Sequence, residues 1–189
     1  MPLVNGHYGA KNRDWLLAGM PSAGYRDNMS RLQAGSDLAA LTTQVLTSVA
    51  LPLQAGDVVA SLTFKSGATA AVTPTNWWFA FYDDSATPAL LAQTADQLTA
   101  AWAANTAKTL ALATPQLISR AGVYYAAIMV KAATVPTLVG ATTQAGASAG
   151  FLSADKVLAQ TSGSGLTTTA PATIATPTAV GTVPLVLAT

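Results

Sequence analysis

The residues of this sequence whose side chains suit catalysis or ligand binding are its aspartates and its aromatic residues. All eight acidic residues are aspartate, and the chain holds one histidine, His7, and no cysteine. Adjacent carboxylates, as in the stretch DDS at 83–85, are ligands that Ca²⁺ accepts, and two carboxyl groups facing each other across a cleft hydrolyse glycosidic bonds. The stretch WWFAFY at 77–82 places two tryptophans, two phenylalanines and a tyrosine together, and aromatic faces stack on sugar rings. The candidate chemistries are therefore calcium binding, glycan hydrolysis and glycan binding.

The aspartates fit turns better than they fit a calcium or catalytic site. Calcium ligands usually alternate along a loop, whereas Asp83 and Asp84 are adjacent and directly follow an apolar run. Aspartate in that position commonly bonds its own backbone. Asp57 and Asp96 also lie among turn-forming residues, with no cleft signature around them. We therefore predict that 83–85 form a turn and that the protein has no metal site.

Nucleophilic and cofactor chemistry find still less support in the sequence. One histidine, without cysteine or glutamate, builds neither a catalytic triad nor a zinc site. The glycine-rich motifs GxxxxGK[ST] and GxGxxG, which cradle phosphates, are absent. We therefore expect a protein that is not an enzyme and binds no cofactor.

The aromatic stretch 77–82 divides into two faces if it forms a strand, because alternate side chains then point to opposite sides. One face consists of Trp77, Phe79 and Phe81. We expect that face to be core. The other face, with Trp78 and Tyr82, can be core, a subunit interface or a ligand platform, and an interface is favoured because Trp and Tyr are enriched there. Trp102 joins Trp78 and Tyr82 as a candidate interface or glycan-stacking residue.

Low charge limits what the surface can bind. Only 9% of the residues are charged, 51% are apolar, and the net charge is +1. Such a chain offers no electrostatic grip on nucleic acid or acidic lipid, and it has no apolar run long enough for membrane insertion. Residues 1–15 lack the apolar run of a signal peptide, so we expect no export through a cleaved signal. A weakly charged surface of small side chains favours an obligate oligomer, or a part of a larger assembly, over a free monomer.

The first 40 residues have the character of an arm. Their apolar side chains are scattered among glycines, so the segment cannot form its own core and is expected to lie along the sandwich or along a neighbour. A short helix over 36–41 is an option, because Ser36 is a good N-cap residue. The residues expected to anchor the arm are Tyr8, Trp15, Tyr25 and Arg26.

From residue 41 onward, short β-like runs are separated by turn residues. The predicted strands cover 42–53, 58–65, 77–82, 89–94, 109–113, 123–131 and 137–141. Alternation within 58–65 places four residues on one face, namely Val58, Ala60, Leu62 and Phe64, and three on the other, namely Ser61, Thr63 and Lys65. The final apolar run, 183–187, is expected to pair on a sheet edge, where proline is tolerated.

These elements predict an all-β fold, an antiparallel β-sandwich of jelly-roll type. The expected division is an N-terminal arm at 1–40, used for attachment or oligomer contact, and a β-sandwich domain at 41–141. A segment rich in Gly, Ser, Thr and Ala follows at 142–189 and ends in the edge strand.

The order of the strands resembles that of a known family of proteins. The stretches that carry the resemblance are LPLQAGDVVASLTF, TPTNWWFAFYD, LLAQTADQLTAAWAANTAKTLAL and GVYYAAIMVKAATVPTLVG. They are similar to a β-sandwich module in virion structural proteins of tailed bacteriophages that infect actinobacteria. The resemblance covers roughly residues 41–141 and rests on a pattern of strands, with no catalytic motif.

The resemblance implies a non-enzymatic building block on the surface of a phage particle, made in the host cytoplasm. It favours a minor tail or fibre-type component that acts in host attachment, assembled as a homotrimer alongside other virion proteins. The alternatives are a capsid decoration protein and a carbohydrate-binding module that recognises a glycan of the host cell envelope. A glycan hydrolase finds no acid–base pair in the sequence.

Overall fold

Antiparallel strands make up the whole architecture of the described chain. The computed structural model describes residues 24–142, 152 and 155–189, and it places thirteen strands and no helix within them. The strands are β1 (Arg26–Asp27), β2 (Ser36–Asp37), β3 (Leu46–Leu53), β4 (Val58–Lys65), β5 (Asn76–Tyr82), β6 (Leu90–Gln93), β7 (Ala107–Leu117), β8 (Gly122–Lys131), β9 (Val139–Ala141), β10 (Ala159–Ser162), β11 (Thr178–Ala179), β12 (Val183–Pro184) and β13 (Val186–Ala188). A helix long and apolar enough to cross a bilayer is therefore not found among these residues.

The strands form two larger sheets and one small sheet. The six-stranded sheet has the order β11-β10-β3-β8-β5-β6, and the four-stranded sheet has the order β1-β13-β4-β7. The small sheet, β12-β9-β2, lies at one end. Every strand pairing is antiparallel. The predicted all-β fold, an antiparallel β-sandwich, is confirmed.

Aromatic rings from facing strands fill the space between the two larger sheets. The rings of Trp77 and Trp102 lie 5.0 Å apart, and those of Phe64 and Phe79 lie 4.8 Å apart. Phe81 stacks on Tyr124 with centroids 5.6 Å apart. The expected core face of the aromatic strand, Trp77, Phe79 and Phe81, is confirmed, because all three side chains are buried in this cluster.

Alternation along β4 is broken by a bulge. The register between β4 and β7 shifts between Val59 and Ser61, so Val59 joins the core together with Leu62 and Phe64. Val58 is left 55% exposed. The prediction that Val58 shares a face with Leu62 and Phe64 is wrong, because the extra residue of a bulge moves the alternation by one position.

Most predicted strands are present, but several differ in extent: β7 covers Ala107–Leu117 where 109–113 was predicted, and β10 and β11 were not predicted. The short helix over 36–41 is wrong, since Ser36–Asp37 is β2 and pairs with β9. Strand 42–53 begins only at Leu46, because Gln44 has a left-handed backbone (φ 60°) within a turn. The final run, 183–187, was expected at a sheet edge, and the structure divides it between two strands. Strand β12 lies at the edge of the small sheet, whereas β13 lies between β1 and β4 in the four-stranded sheet.

Both ends of the described part of the chain, from residue 24 to residue 189, are integrated into the sandwich that its middle strands build. Strand β1 pairs with β13, and β13 pairs in turn with β4. Strand β10 extends the six-stranded sheet beside β3. The described part of the N-terminal arm lies along its own sandwich, which was one of the two options for it.

Candidate functional site

The outer face of the six-stranded sheet is a second core. Trp78 and Tyr82 have no exposed surface, and they pack in a cluster with Tyr125, Met129 and Ile174. Burial raises the pKa of Tyr82 above its ordinary value of 10.0, and the pKa of Tyr125 is raised by the same cause. From the sequence, the face with Trp78 and Tyr82 could be core, a subunit interface or a ligand platform. The structure shows that it is core.

Residues 163–177, which we call the C-terminal strap, provide the cover for this face. Ala170 and Ile174 are buried against the outer face of the sheet, and Leu166 packs against the same cluster. The strap is also tied down through its backbone: Ala170 donates its amide to Gln93 Oε1 at 2.6 Å, and Ile174 donates to the Pro88 carbonyl at 2.9 Å. Its small side chains let the backbone run close over the aromatic rings.

Hydrogen bonds from the side chains of Trp78 and Tyr82 hold the backbone of the strap in place. Trp78 Nε1 donates to the carbonyl of Thr167 at 2.7 Å, and the Tyr82 hydroxyl donates to the carbonyl of Pro171 at 2.9 Å. The predicted role of Trp78 and Tyr82 as interface or glycan-stacking residues is therefore wrong. The chain covers these rings itself and satisfies their polar atoms, which leaves no ring face for a sugar or a second subunit.

Trp102 is likewise buried in the chain. The loop between β6 and β7 folds it inward, its side chain has no exposed surface, and its indole nitrogen donates to the Thr106 carbonyl at 2.9 Å. It packs against Trp77. The prediction that Trp102 is an interface or glycan-stacking residue is wrong, because the loop that carries it closes the core between the sheets.

Asp83 is a turn residue, as predicted. Its Oδ1 accepts hydrogen bonds from the amide and hydroxyl of Ser85 and from the amide of Ala89, at 3.2, 2.7 and 2.7 Å. Burial raises the pKa of Asp83, but these hydrogen bonds together outweigh it and hold that pKa below the ordinary value of 3.8. A carboxyl group that remains ionised in this way fits a structural role better than that of a general acid.

The other predicted turn aspartates are also engaged within the chain. Asp84 forms an ion pair with Arg120 at 2.6 Å. Asp96 accepts a hydrogen bond from Asn76 Nδ2 at 2.6 Å and another from the Trp77 amide at 3.0 Å. Within residues 24–142, 152 and 155–189, no group of three acidic or histidine side chains is arranged to hold a metal ion.

The anchoring residues proposed for the arm fall in two groups. Tyr8 and Trp15 lie outside the described residues, as does His7. Arg26 forms a two-point ion pair with Asp57, Nε to Oδ2 at 2.8 Å and NH2 to Oδ1 at 2.6 Å, while Tyr25 lines a cavity of about 250 Å³ beside it. Burial raises the pKa of Asp57, but Arg26 and the Gln54 amide outweigh it and hold that pKa below 3.8. The role of the arm in attachment stays a prediction.

A cavity of about 380 Å³ opens between the start of β10 and the small sheet. Its lining includes the apolar side chains of Met29, Leu158 and Val183 and the amide side chains of Asn28 and Gln33. The amide of Asn28 is already in use, because its Oδ1 accepts from the Val186 amide at 3.0 Å and its Nδ2 donates to the Pro184 carbonyl at 2.8 Å. The Asn28 side chain therefore holds β12 and β13 in place at the wall of this cavity.

In contrast to the covered sheet, the outer face of the four-stranded sheet is open. We call it the open face; it consists of Val58, Ser61, Thr63, Lys65, Ala107, Thr109, Ala111, Leu117 and Leu187. Most of its side chains are uncharged; Lys65 is a cation on this face, and Asp27 of β1 is the cross-strand partner of Leu187. This surface was not predicted from the sequence, although outward Ala and Thr alternate along β7 with inward Leu110 and Leu112 and were a signal for it.

Comparison with known proteins assigns neither a family nor a function to this chain. Neither the comparison with protein-family models nor the comparison with curated proteins returns a match. The two large sheets thus differ in their outer faces: one is covered by the chain itself, and the other is open.

Proposed function

We propose that the protein is a non-enzymatic structural component of a bacteriophage virion, of minor tail or fibre type, displayed on the particle as an oligomeric β-sandwich. The observation that carries the proposal is the contrast between the two outer faces. One is covered by the C-terminal strap, whereas the other presents mostly uncharged side chains and includes the exposed apolar residues Val58 and Leu117, which suits contact with further subunits. Because the strand order resembles that of phage virion proteins, we place this contact between subunits in a virion.

The state of the carboxyl groups supports a non-enzymatic role. A glycan hydrolase needs one carboxyl with a raised pKa as general acid. In this chain the pKa values of Asp57 and Asp83 lie below the ordinary value, and both groups accept several hydrogen bonds from neighbours. Asp84 and Asp96 are tied to Arg120 and Asn76. These aspartates serve the fold, and we assign the protein no reaction.

The strand resemblance also bears on assembly and location. We favour a homotrimer that contacts other virion proteins and lies on the particle surface after synthesis in the host cytoplasm. Capsid decoration is the nearest alternative, since it needs the same kind of sandwich and differs only in position. A carbohydrate-binding module is disfavoured, because the three rings expected to stack on a glycan are buried in the protein.

Immunogold labelling of intact particles tests the proposal. Antibodies raised against the purified protein are applied to particles of the source phage and viewed by negative-stain electron microscopy. We expect gold at the tail tip or fibres. Gold over the capsid supports the decoration alternative instead, and particles without gold, with the protein detected only in the soluble lysate, overturn the virion assignment.

A further inference from the structure

We infer that three loops at one end of the sandwich form a contact surface for a second, different protein of the particle, one whose own contact surface is apolar and uncharged. The loops, which we call the apical loops, are residues 66–75, 94–106 and 132–138. They connect β4 to β5, β6 to β7 and β8 to β9 at the same end of the strands. The inference rests on the proposed function, because it names a contact by which the virion component is attached.

A leucine is held in the left-handed backbone conformation at the tip of the second apical loop. Leu98 has a φ of 52°, and its side chain is 56% exposed. The left-handed region disfavours side chains other than those of Asn and Asp, and a residue remains there only where its surroundings fix it. Leucine at this position improves neither the local backbone nor the core, which points to a contact outside the chain.

Hydrogen bonds fix this tip in place. Asp96 Oδ1 accepts from the amide of Leu98 at 3.1 Å and from the amide of Trp77 at 3.0 Å. The amide of Gln97 donates to the Trp77 carbonyl at 2.9 Å, and the Trp77 indole nitrogen donates to the Ala100 carbonyl at 2.9 Å. The tip is therefore ordered before any partner binds, so that little conformational entropy is lost on binding.

A second apolar side chain is exposed at the tip of the first apical loop. Val72 is 49% exposed, and its amide donates to the Thr134 carbonyl at 2.9 Å, which ties the first apical loop to the third. The amide of Ala71 donates to the Trp102 carbonyl at 3.0 Å. Because the rings of Trp102 and Trp77 lie 5.0 Å apart, both exposed tips are anchored on the same pair of buried rings.

The apical loops are almost free of charge. Their one charged residue is Asp96, whose carboxylate accepts hydrogen bonds from three groups of the chain itself. Charged residues surround the loops on the adjoining strands, namely Lys65, Lys108, Lys131 and Asp37. An uncharged centre within a rim that carries charges of both signs is the usual composition of a protein–protein interface.

The opposite end of the sandwich has a different character. The turns there are 54–57, 83–89 and 118–121. They contain four charged residues, and two of these, Asp57 and Asp84, form ion pairs with arginines. The exposed apolar residues at that end, Val58 and Leu117, belong to the open face, which the proposed function uses for contact between subunits. The sandwich therefore has a polarity along its strands, with the uncharged end suited to burial in an assembly.

A different protein fits the apical loops better than a lipid bilayer or a second copy of the chain. Surfaces that bind membranes present aromatic or basic side chains. The apical loops contain no basic residue, and their one aromatic residue, Trp102, is buried. Contact between two such ends is two-fold, and contact of one end with the opposite end is open-ended, whereas the proposed oligomer is a closed trimer.

The substitution Leu98→Asn separates a role in contact from a role in the fold. Asparagine tolerates the left-handed conformation and removes the apolar side chain, so we expect the variant to unfold at the same temperature as the wild type or at a higher one. Leu158→Asn is the matched control, because Leu158 is also exposed but lies just before β10, away from the apical loops. A lower unfolding temperature of Leu98→Asn shows that the leucine packs within the fold and overturns the inference.

Incorporation into particles measures the contact. Source phage with an amber codon in this gene are grown on hosts that supply the full-length wild type, Leu98→Asn or Leu158→Asn, and the protein in purified particles is measured by quantitative immunoblot. We expect roughly tenfold less Leu98→Asn than wild type, and as much Leu158→Asn as wild type. Equal amounts of all three, or equal loss of both variants, overturn the inference and leave the virion assignment in place. Absence of the wild type from particles overturns both.

Two measurements on the purified protein test the other occupants. Light scattering compares the mass of the wild type with that of Leu98→Asn, and flotation with phosphatidylglycerol vesicles measures binding to an anionic lipid surface. We expect equal masses and no flotation of either protein. A lower mass of the variant assigns the apical loops to contact between copies, and flotation that the variant loses assigns them to lipid. Either result overturns the choice of a different protein as the partner.

Discussion

The phenol of Tyr82 donates its hydrogen to the backbone carbonyl of Pro171, 2.9 Å away and 89 residues further along the chain. Both groups lie between the six-stranded sheet and the C-terminal strap. The bond joins a strand in the middle of the domain to a segment whose composition carries little structural signal. It also explains why an aromatic face that looks suited to a ligand is closed in the folded protein.

Removing the Tyr82 hydroxyl should therefore destabilise the protein. Tyr82→Phe keeps the ring but leaves the partly buried Pro171 carbonyl without its donor, and we expect a loss of about 1 kcal/mol in the free energy of unfolding. The measurement is urea denaturation followed by tryptophan fluorescence. Tyr25→Phe, at a half-buried tyrosine outside both cores, is the matched control and should change stability by less than about 0.5 kcal/mol. Equal effects of the two substitutions would contradict the proposed role of the strap.

The same burial makes the protein sensitive to alkaline pH. Because the pKa values of Tyr82, Tyr124 and Tyr125 are raised in the folded state, the folded protein favours their neutral forms. The stability this gives is complete below the ordinary pKa of 10.0 and is lost as pH rises above it. Denaturation curves at increasing pH should show this loss, together with late ionisation in a tyrosinate absorbance titration.

Tyr82→Phe serves as the control for this pH effect. The variant should lose part of the late-ionising absorbance and show a weaker decline of stability above pH 10.0 than the wild type. A titration in which every tyrosine ionises near the ordinary value, with the protein still folded by circular dichroism, would show that the rings are accessible to solvent.

At acidic pH the turn aspartates should control stability. The pKa values of Asp57 and Asp83 are lowered in the folded state, so their stabilising effect is present above the ordinary pKa of 3.8 and is lost as pH falls below it. Asp83→Asn removes the titrating group, and we expect its unfolding free energy to depend less steeply on pH in this range. Unfolding midpoints measured between neutral pH and pH 3 check this. A slope identical to that of the wild type would be evidence against the hydrogen-bonded turn.

The strands in the middle of the chain were predictable from the sequence because their pattern is local. Asn76–Tyr82 and Gly122–Lys131 were predicted almost to the residue, since continuous apolar and β-branched runs ended by Asp or Lys leave little choice. Asp83 was predictable for the same reason, because a turn aspartate bonds residues close to it in sequence. The bulge after Val59 was not, because it depends on the partner strand.

The roles of Trp78 and Tyr82 could not be predicted because they depend on a distant segment. The strap has a composition of Thr, Ser, Gly and Ala with few apolar side chains, and its hydrogen bonds to the rings come from backbone carbonyls, which every sequence has. Whether such a segment covers a sheet is decided by tertiary packing. The open face was missed for a related reason, because it is recognised only once the other face is known to be covered.

The small sheet offers a test of packing at a single glycine. Gly140 in β9 lies so close to β12 that a Cβ atom there would overlap the Val183 carbonyl and approach Pro184 Cα to 2.9 Å. Both are backbone atoms of a paired strand and cannot move aside as a flexible side chain can. We expect Gly140→Ala to destabilise the protein by roughly 1–3 kcal/mol, the usual cost of forcing extra atoms into a packed site.

Gly35→Ala is the matched control, because a Cβ atom at Gly35 meets no other atom within 4 Å and its φ is not in the left-handed region. That substitution should be neutral or stabilise by up to about 1 kcal/mol, since alanine reduces the freedom of the unfolded chain. Thermal and urea denaturation of the two variants measure the difference. If Gly140→Ala is as stable as Gly35→Ala, then β9 and β12 cannot be packed as closely as described. In that case the attachment of β13 through Asn28, which depends on the same neighbouring residues, would also need revision.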